Sequence, residues 1–303
     1  MIPPTATRPQ SPHPPMISTV FKSYIAPMLR RPPRFQIAAL CHRNGQDGPE
    51  VLLITSRDTH RWILPKGWPK TGYDAVCMRA SAGGVQTPLD ELRRMRETVE
   101  ARGLHVSMVT ADFNVPLNNA DGPNSLRDIG PSLNVAEALG CGLIRVCLKN
   151  DADILHAREA AKQAADHGIR LAHQCHTTSI FEQVEQILAN LEAIGQPNFG
   201  LIYEPANLML CGESYGTETL LQLQPHMMNV YIQNHRLDPD GPVSLPTYCR
   251  GEVHFHHLPI WEIGGVDTAA AFDGLREIGW AGHFTIHQAE GIETVDGARA
   301  YAK

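Results

Sequence analysis

Four clusters of ligand-type and acid–base side chains stand out in the second half of the chain. They are His173-Gln174-Cys175-His176, Glu204-Pro205-Ala206-Asn207, Gln233-Asn234-His235 and His287-Gln288. Each follows a short apolar or β-branched run of the kind that forms a buried strand. Neutral imidazole, a carboxylate and an amide oxygen together suit Mn²⁺, Zn²⁺, Fe²⁺, Co²⁺ or Ni²⁺. A single histidine at a strand end is more often a hydrogen-bonded structural residue. Four such groups on successive strands point to a shared site instead. His173, Glu204, Gln233 and His287 are therefore the expected metal ligands. For Gln233 the alternative is a hydrogen bond to substrate or backbone alone.

Other candidates surround these. Arg79 and Asp112-Phe113-Asn114 end two earlier strands, and Arg145 and Lys149 flank a third. Each cation could hold a phosphate or carboxylate, or sit in a solvated salt bridge. His254, His256 and His257 fall in the loop expected after the seventh strand, either as surface residues or with one reaching back over the mouth. Arg79, Asn207 and His256 are the expected substrate contacts.

The elements that must position these groups are read from periodicity. Short strands are expected at 75–78, 104–109, 143–148, 169–173, 199–203, 230–232 and 283–287. Between them lie helices at 89–102, 126–139, 154–166, 180–194, 218–223 and 268–278, several stopped by glycine. Strands alternating with helices make βαβ units around a parallel sheet. Seven strands are one short of a closed (β/α)8 barrel, in which catalytic groups sit at the C-terminal strand ends. The first strand–helix unit is missing. In its place stand two apolar runs, 35–41 and 51–56, with Asn44-Gly45 and Asp47-Gly48-Pro49 between them, which predict a β-hairpin. A short third strand follows at 62–64. Residues 1–33 carry nine prolines and read as a disordered arm.

Composition sets the outer bounds. A chain of 303 residues with 43% hydrophobic and 19% charged residues is that of a globular protein with room for a barrel core. A net charge of −6 argues against broad binding to nucleic acid or an anionic membrane. No apolar run is long enough to span a bilayer, and no secretory signal is expected. The seven scattered cysteines, with no CxxC, fit reduced thiols in a cytoplasm.

The motifs RLAHQCHTTSIFE, NFGLIYEPANLML, NVYIQNHRL and GHFTIHQA, in that order, resemble the xylose-isomerase-like TIM-barrel superfamily over about residues 75–289. That superfamily includes sugar phosphate isomerases/epimerases and AP-endonuclease-type barrels. The resemblance implies a metal shell with an acidic residue on the fifth strand, Asp on the sixth, His on the seventh and Glu on the eighth. The corresponding positions here are His173, Glu204, Gln233 and His287. Only the sixth keeps a carboxylate. Since the family's fifth- and eighth-strand glutamates also move protons, the resemblance leaves that work to His176, His235 or a metal-bound hydroxide.

RFQIAAL and EVLLITSRDTHRWILPKGWPKTGYDA resemble the opening of a Nudix hydrolase over residues 34–74. Its glutamate-rich helix has no full counterpart, because Arg96-Glu97-Thr98-Val99-Glu100 lacks the second glutamate of the pair and is better explained as a barrel helix. The expected organisation is a 1–33 arm, a 34–74 Nudix-like hairpin filling the gap left by the first barrel unit, and a barrel at 75–303. If the gap were unfilled, open edges would favour a homo-oligomer. The expected function is a divalent-metal-dependent isomerase, epimerase or related lyase on a small sugar or polyol. The alternatives are a metal-dependent hydrolase of an ester, lactone or phosphoester, or an inactive fusion remnant.

Overall fold

Helices in this chain end where the backbone turns left-handed. Gly140 (φ 67°) and Gly195 (φ 60°) occupy that conformation just after two of the helices, where a side chain would be strained. The turns they make return the chain to the start of the next parallel strand. The computed structural model describes residues 73–111 and 121–287 in full. It also describes the backbone of Gln36–Ala38 (β1), His42–Gly45 (β2), Gly48–Val51 (β3), Ile54–Thr55 (β4) and Trp62–Ile63 (β5). The 1–33 arm, Asp112-Phe113-Asn114, Gln288 and the side chains behind the Nudix likeness lie outside the described residues.

Seven parallel strands form the sheet: Ala75–Met78 (β6), His105–Thr110 (β7), Leu143–Val146 (β8), Arg170–Gln174 (β9), Phe199–Tyr203 (β10), Met227–Ile232 (β11) and, last in the chain, His283–Ile286 (β15). β1 pairs in parallel with β15 from Gln36↔His283 to Ala38↔Thr285, and with β6 at Ala38↔Ala75. The expected partnering of 35–41 with 51–56 is thus corrected. β2 pairs antiparallel with β3, from His42↔Val51 to Gly45↔Gly48, and β4 pairs antiparallel with β5.

The helices are Leu89–Glu100 (α1), Asn124–Arg127 (α2), Gly130–Leu139 (α3), Ala152–Asp166 (α4), Val184–Ile194 (α5), Pro205–Leu210 (α6), Thr217–Leu223 (α7) and Thr268–Glu277 (α8). The single helix expected over 126–139 is two. Gly130 and Pro131 open the second, and proline there needs no partner for its missing N–H. The helix expected from Ile180 begins only at Val184, because Ser179, Phe181 and Glu182 are spent on loop hydrogen bonds. The faces buried on the sheet follow helical spacing. In α4 they are Ala157, Ala160, Ala161 and Ala164, small enough for close approach, and in α5 Val184, Ile187, Leu191 and Ile194. Each fully buried Ile or Leu contributes on the order of 1.5–3 kcal/mol.

The residues after β11 form a sheet, where a loop was expected. Asn234–Leu237 (β12), Val243–Thr247 (β13) and Gly251–Leu258 (β14) make an antiparallel cap in the order β12-β14-β13. Among the described residues, no helix is long and apolar enough to cross a membrane.

Strand alternation divides the barrel into two cores. Met108, Leu143, Ala172, Ile202 and Tyr231 cluster inside it. Their strand neighbours Val109, Ile144, Leu171, Leu201 and Val230 belong to the larger cluster beneath the helices. Within this packing, a methyl group added at Gly200 would come 2.3 Å from the His226 carbonyl oxygen. At Gly142 it would meet nothing within 4 Å. Gly200→Ala is therefore expected to destabilise the protein by about 1–3 kcal/mol in urea denaturation. Gly142→Ala should stay within about 1 kcal/mol of wild type.

Candidate active site at the barrel mouth

The parity that separates the two cores also decides which residues reach the mouth. Counting on from Leu143, Ala172, Ile202 and Tyr231 by twos gives Arg145, Gln174, Glu204 and Gln233. From Thr285, whose hydroxyl faces the inward amide of Asn229, the same step gives His287. All five side chains are buried.

Glu204 is the centre of this ring, with no exposed surface. Its Oε2 accepts hydrogen bonds from Gln174 Nε2 and from Asn207 Nδ2 at 2.9 Å. Its Oε1 lies 3.4 Å from His287 Nδ1, and Gln233 also hydrogen-bonds to the carboxyl. Burial pushes its pKa up from 4.5 to about 8, against the lowering effect of Gln174, Arg145 and Gln233. Burial, Arg79 and Arg145 hold His287 well below 6.5. Both shifts favour the neutral forms, and so a neutral hydrogen bond between the two groups over an ion pair. The His287 ring stacks on Tyr231 at 4.4 Å between centroids, and the Tyr231 hydroxyl lies 3.5 Å from Cys77 Sγ. The Arg145 guanidinium is 2% exposed, and its charge acts on Glu204, His173, His176 and His287 together.

His173 lies on the other face of β9, with Leu171. Its ring packs on Phe181 at 4.5 Å, and its Nε2 lies 3.1 Å from the Leu148 carbonyl, which places the N–H there. Gln174, one residue on, takes the inward position for which His173 was the expected ligand. His176 and His235 are both buried, and burial lowers each to about 3. For His176 the next cause is Arg145, with His287 also contributing. For His235 it is His257, whose Nδ1 lies 3.2 Å from its own. Arg79 is half-buried, and its charge reaches His287, Tyr231 and Cys77. Asn207 spends both bonds of its amide nitrogen inside the protein, on Glu204 and the Cys175 carbonyl at 2.8 Å, so it holds the carboxyl in place. His256 pairs with Asp238 at 2.9 Å on the cap.

These residues fit a divalent cation. The buried oxygens Gln174 Oε1 and Gln233 Oε1 have no hydrogen-bond partner, and neither does His173 Nδ1 on the outer face. Two unpartnered carbonyl oxygens near a buried carboxyl leave acceptor groups that a cation could satisfy. A cation there would satisfy both amides and favour the carboxylate.

The fold is a TIM barrel whose polar groups gather at the C-terminal rim. The family model described as "Xylose isomerase-like TIM barrel" matches residues 69–301, and the chain belongs to that family. Similar solved structures include a probable 3-DHS dehydratase from Bacillus anthracis (12% identity, 76% of this chain and 88% of that one, TM-score 0.58). Another is a xylose isomerase-like TIM barrel protein from Mycobacterium smegmatis in complex with magnesium (15%, 76% and 83%, TM-score 0.57). A third is a D-allulose 3-epimerase from Methylomonas sp. (14%, 76% and 80%, TM-score 0.52). At these identities the likeness shows the fold. No curated protein matches the chain in sequence.

The shifts above give the metal-free protein a stability optimum. His173, His176, His235 and His287 have folded pKa values below 6.5. Below that pH the unfolded chain binds more protons, so stability falls as pH drops from 6.5 towards about 3. Glu204 acts oppositely, because its folded value exceeds 4.5 and stability falls as pH rises through about 8. Urea midpoints measured across pH in the presence of chelator should peak near 6.5. Glu204→Gln should remove the decline between 6.5 and 8 and steepen the acid limb between 4.5 and 6.5.

Proposed function

We propose that this chain is a divalent-metal-dependent isomerase, epimerase or related lyase acting on a small sugar or polyol at the barrel mouth. The observation that carries the reading is the buried ring in which the Gln174 and Gln233 amide oxygens lack partners beside Glu204. Glu204, Gln233, His287 and Gln174 would hold the ion, which when bound polarises a carbonyl–hydroxyl pair. Asn207 fixes the carboxylate that faces it. Arg79 and Arg145 supply positive charge to substrate oxygens on the side of the mouth formed by β6 and β8. His176 and His235, kept neutral by burial, are the groups to accept or donate the substrate proton. In the same reading, the segment at 34–74 is a truncated Nudix-like piece whose β1 stands where the first barrel strand belongs, supported by its pairing with β15 and β6.

Elemental analysis of the purified protein, with its variants, tests this. About one equivalent of a transition metal is expected after incubation with Mn²⁺, Zn²⁺ or Co²⁺, with affinity falling about 10- to 100-fold in Glu204→Gln and His287→Ala. His173→Ala should keep the metal and lose only stability, since its ring faces the helices. An incubated wild type that stays metal-free sinks the reading, as does equal metal loss in His173→Ala. With metal bound, a screen of ketoses, aldoses and polyols should show interconversion in wild type and none in His287→Ala. Turnover confined to esters or lactones would replace isomerisation by hydrolysis.

A further inference from the structure

Away from the inward ring, three connecting segments bring together a carboxylate and two thiols. Glu182 precedes α5, Cys211 follows α6, and Cys249 lies in the turn between β13 and β14. Their ligand atoms all lie within 4.8 Å of one another, the one such cluster of His, Cys, Asp or Glu among the described residues. Glu182 is 2% exposed and Cys211 4%, so both are effectively out of water.

The carboxylate is rigidly held. Glu182 Oε1 accepts from the Thr178 N–H at 2.5 Å and the Tyr248 N–H at 2.8 Å, and Oε2 from the Cys249 N–H at 2.9 Å. These bonds explain its burial but leave a lone pair on Oε2 beside the two sulfurs. Cys249 Sγ lies 3.5 Å from the Cys211 carbonyl oxygen, and neither thiol is in a disulfide. Burial and the neighbouring carboxylate both push the Cys211 thiol up.

We propose that Glu182, Cys211 and Cys249 form a second metal site, for Zn²⁺ or another thiophilic divalent ion, that fastens the cap hairpin to the barrel. Two thiolates and a carboxylate give three protein ligands, and water completes a tetrahedron. With bonds of about 2.0–2.3 Å, tetrahedral ligand atoms stand roughly 3.6 Å apart, so side-chain rotation of about 1 Å suffices. Two S–metal bonds form as two S–H bonds break, and both protons leave to the buffer. The ion would join the loop after β9, the end of α6 and the β13–β14 turn. The second half of β14, Phe255–Leu258, pairs with β12, which carries His235, so fastening the hairpin also restrains that histidine.

The test uses full-length protein, stripped by chelator under reducing conditions and titrated with Co²⁺. Glu204→Gln/His287→Ala serves as background to silence the mouth. One equivalent should bind with thiolate-to-cobalt charge-transfer absorption, and that band should vanish in Cys249→Ser and Cys211→Ser. Because Cys211→Ser could perturb a buried position, the same background protein should also be alkylated with and without Zn²⁺. Protection of two thiols by Zn²⁺, reversed by chelator, is the expected result. Absence of both the band and the protection overturns the site. So does finding Cys211 and Cys249 already joined as a disulfide in protein isolated without reductant. Since the mouth ligands are removed in the background protein, this outcome is independent of metal binding there.

Discussion

Glu204 is a carboxyl with no access to water, set among neighbours that supply the hydrogen bonds burial would otherwise deny it. Taking an ionised carboxylate out of solvent costs several kcal/mol unless fixed donors replace the water. Gln174, Asn207 and Gln233 donate to it, and Arg145 adds charge. Even so, its pKa stays near 8, so these partners offset only part of the penalty. The rest of the mouth follows from that shortfall. Each amide that turns its nitrogen to Glu204 aims its oxygen elsewhere, and in Gln174 and Gln233 that oxygen is left without a partner. The ring therefore holds two buried amide oxygens without a hydrogen-bond partner, the feature on which the proposed metal site rests.

The barrel supplies this ring through geometry that tolerates little change. Parallel strands with a side-chain period of two send every second residue inward, and the C-terminal ends of adjacent strands converge. The second layer of support lies in the loops. Asn207, one turn into α6, both bonds Glu204 and ties α6 to the Cys175 carbonyl after β9. Glu182 gathers the loop after β9 and the β13–β14 turn by accepting three backbone N–H groups. The cap strand β12 then carries His235 back, with its ring 4.5 Å from Phe255 on β14. The histidines nearest the mouth are thus placed by packing between layers as well as by the strands.

Much of this was legible in the sequence. The alternation of apolar runs and glycine-stopped helices fixed the barrel, and the residues after each strand located the mouth. The departures have definite physical origins. In RLAHQ both His173 and Gln174 are chemically plausible ligands, and residue type favours the imidazole. The alternation Leu171 out, Ala172 in turns Gln174 and not His173 to the inward ring, but reading it required the strand boundary to within one residue. The cap was missed because VHFHHL alternates like a half-buried strand while its partners, NHRL and VSLPT, are too polar or too broken to register as strands. At the N-terminus the expected pairing of 35–41 with 51–56 gave way to a barrel position for Gln36–Ala38, which pair with both β15 and β6, two strands set far along the chain that local turn chemistry cannot reveal.

The replacement of acidic positions has a consequence for the chemistry. The resemblance to xylose-isomerase-like enzymes implies glutamates on the fifth and eighth strands, which would hold the ion and move protons. Here the inward residues are Gln174 and His287, so the ring carries a single carboxyl against the Arg145 cation. Fewer anionic ligands hold a divalent ion less tightly and leave it a stronger electrophile, because less of its charge is neutralised. On the proposed reading, proton transfer would pass to imidazoles that burial holds near pKa 3, as at His176 and His235. Such groups are weak bases, but they stay neutral and can donate an N–H to a substrate oxygen without adding charge. On the same reading, with an ion bound, the site would stabilise developing negative charge on a substrate oxygen through the ion, Arg145 and neutral imidazoles, more than abstract a proton with a strong base. Such an arrangement would favour substrates whose C–H is already acidified by an adjacent carbonyl.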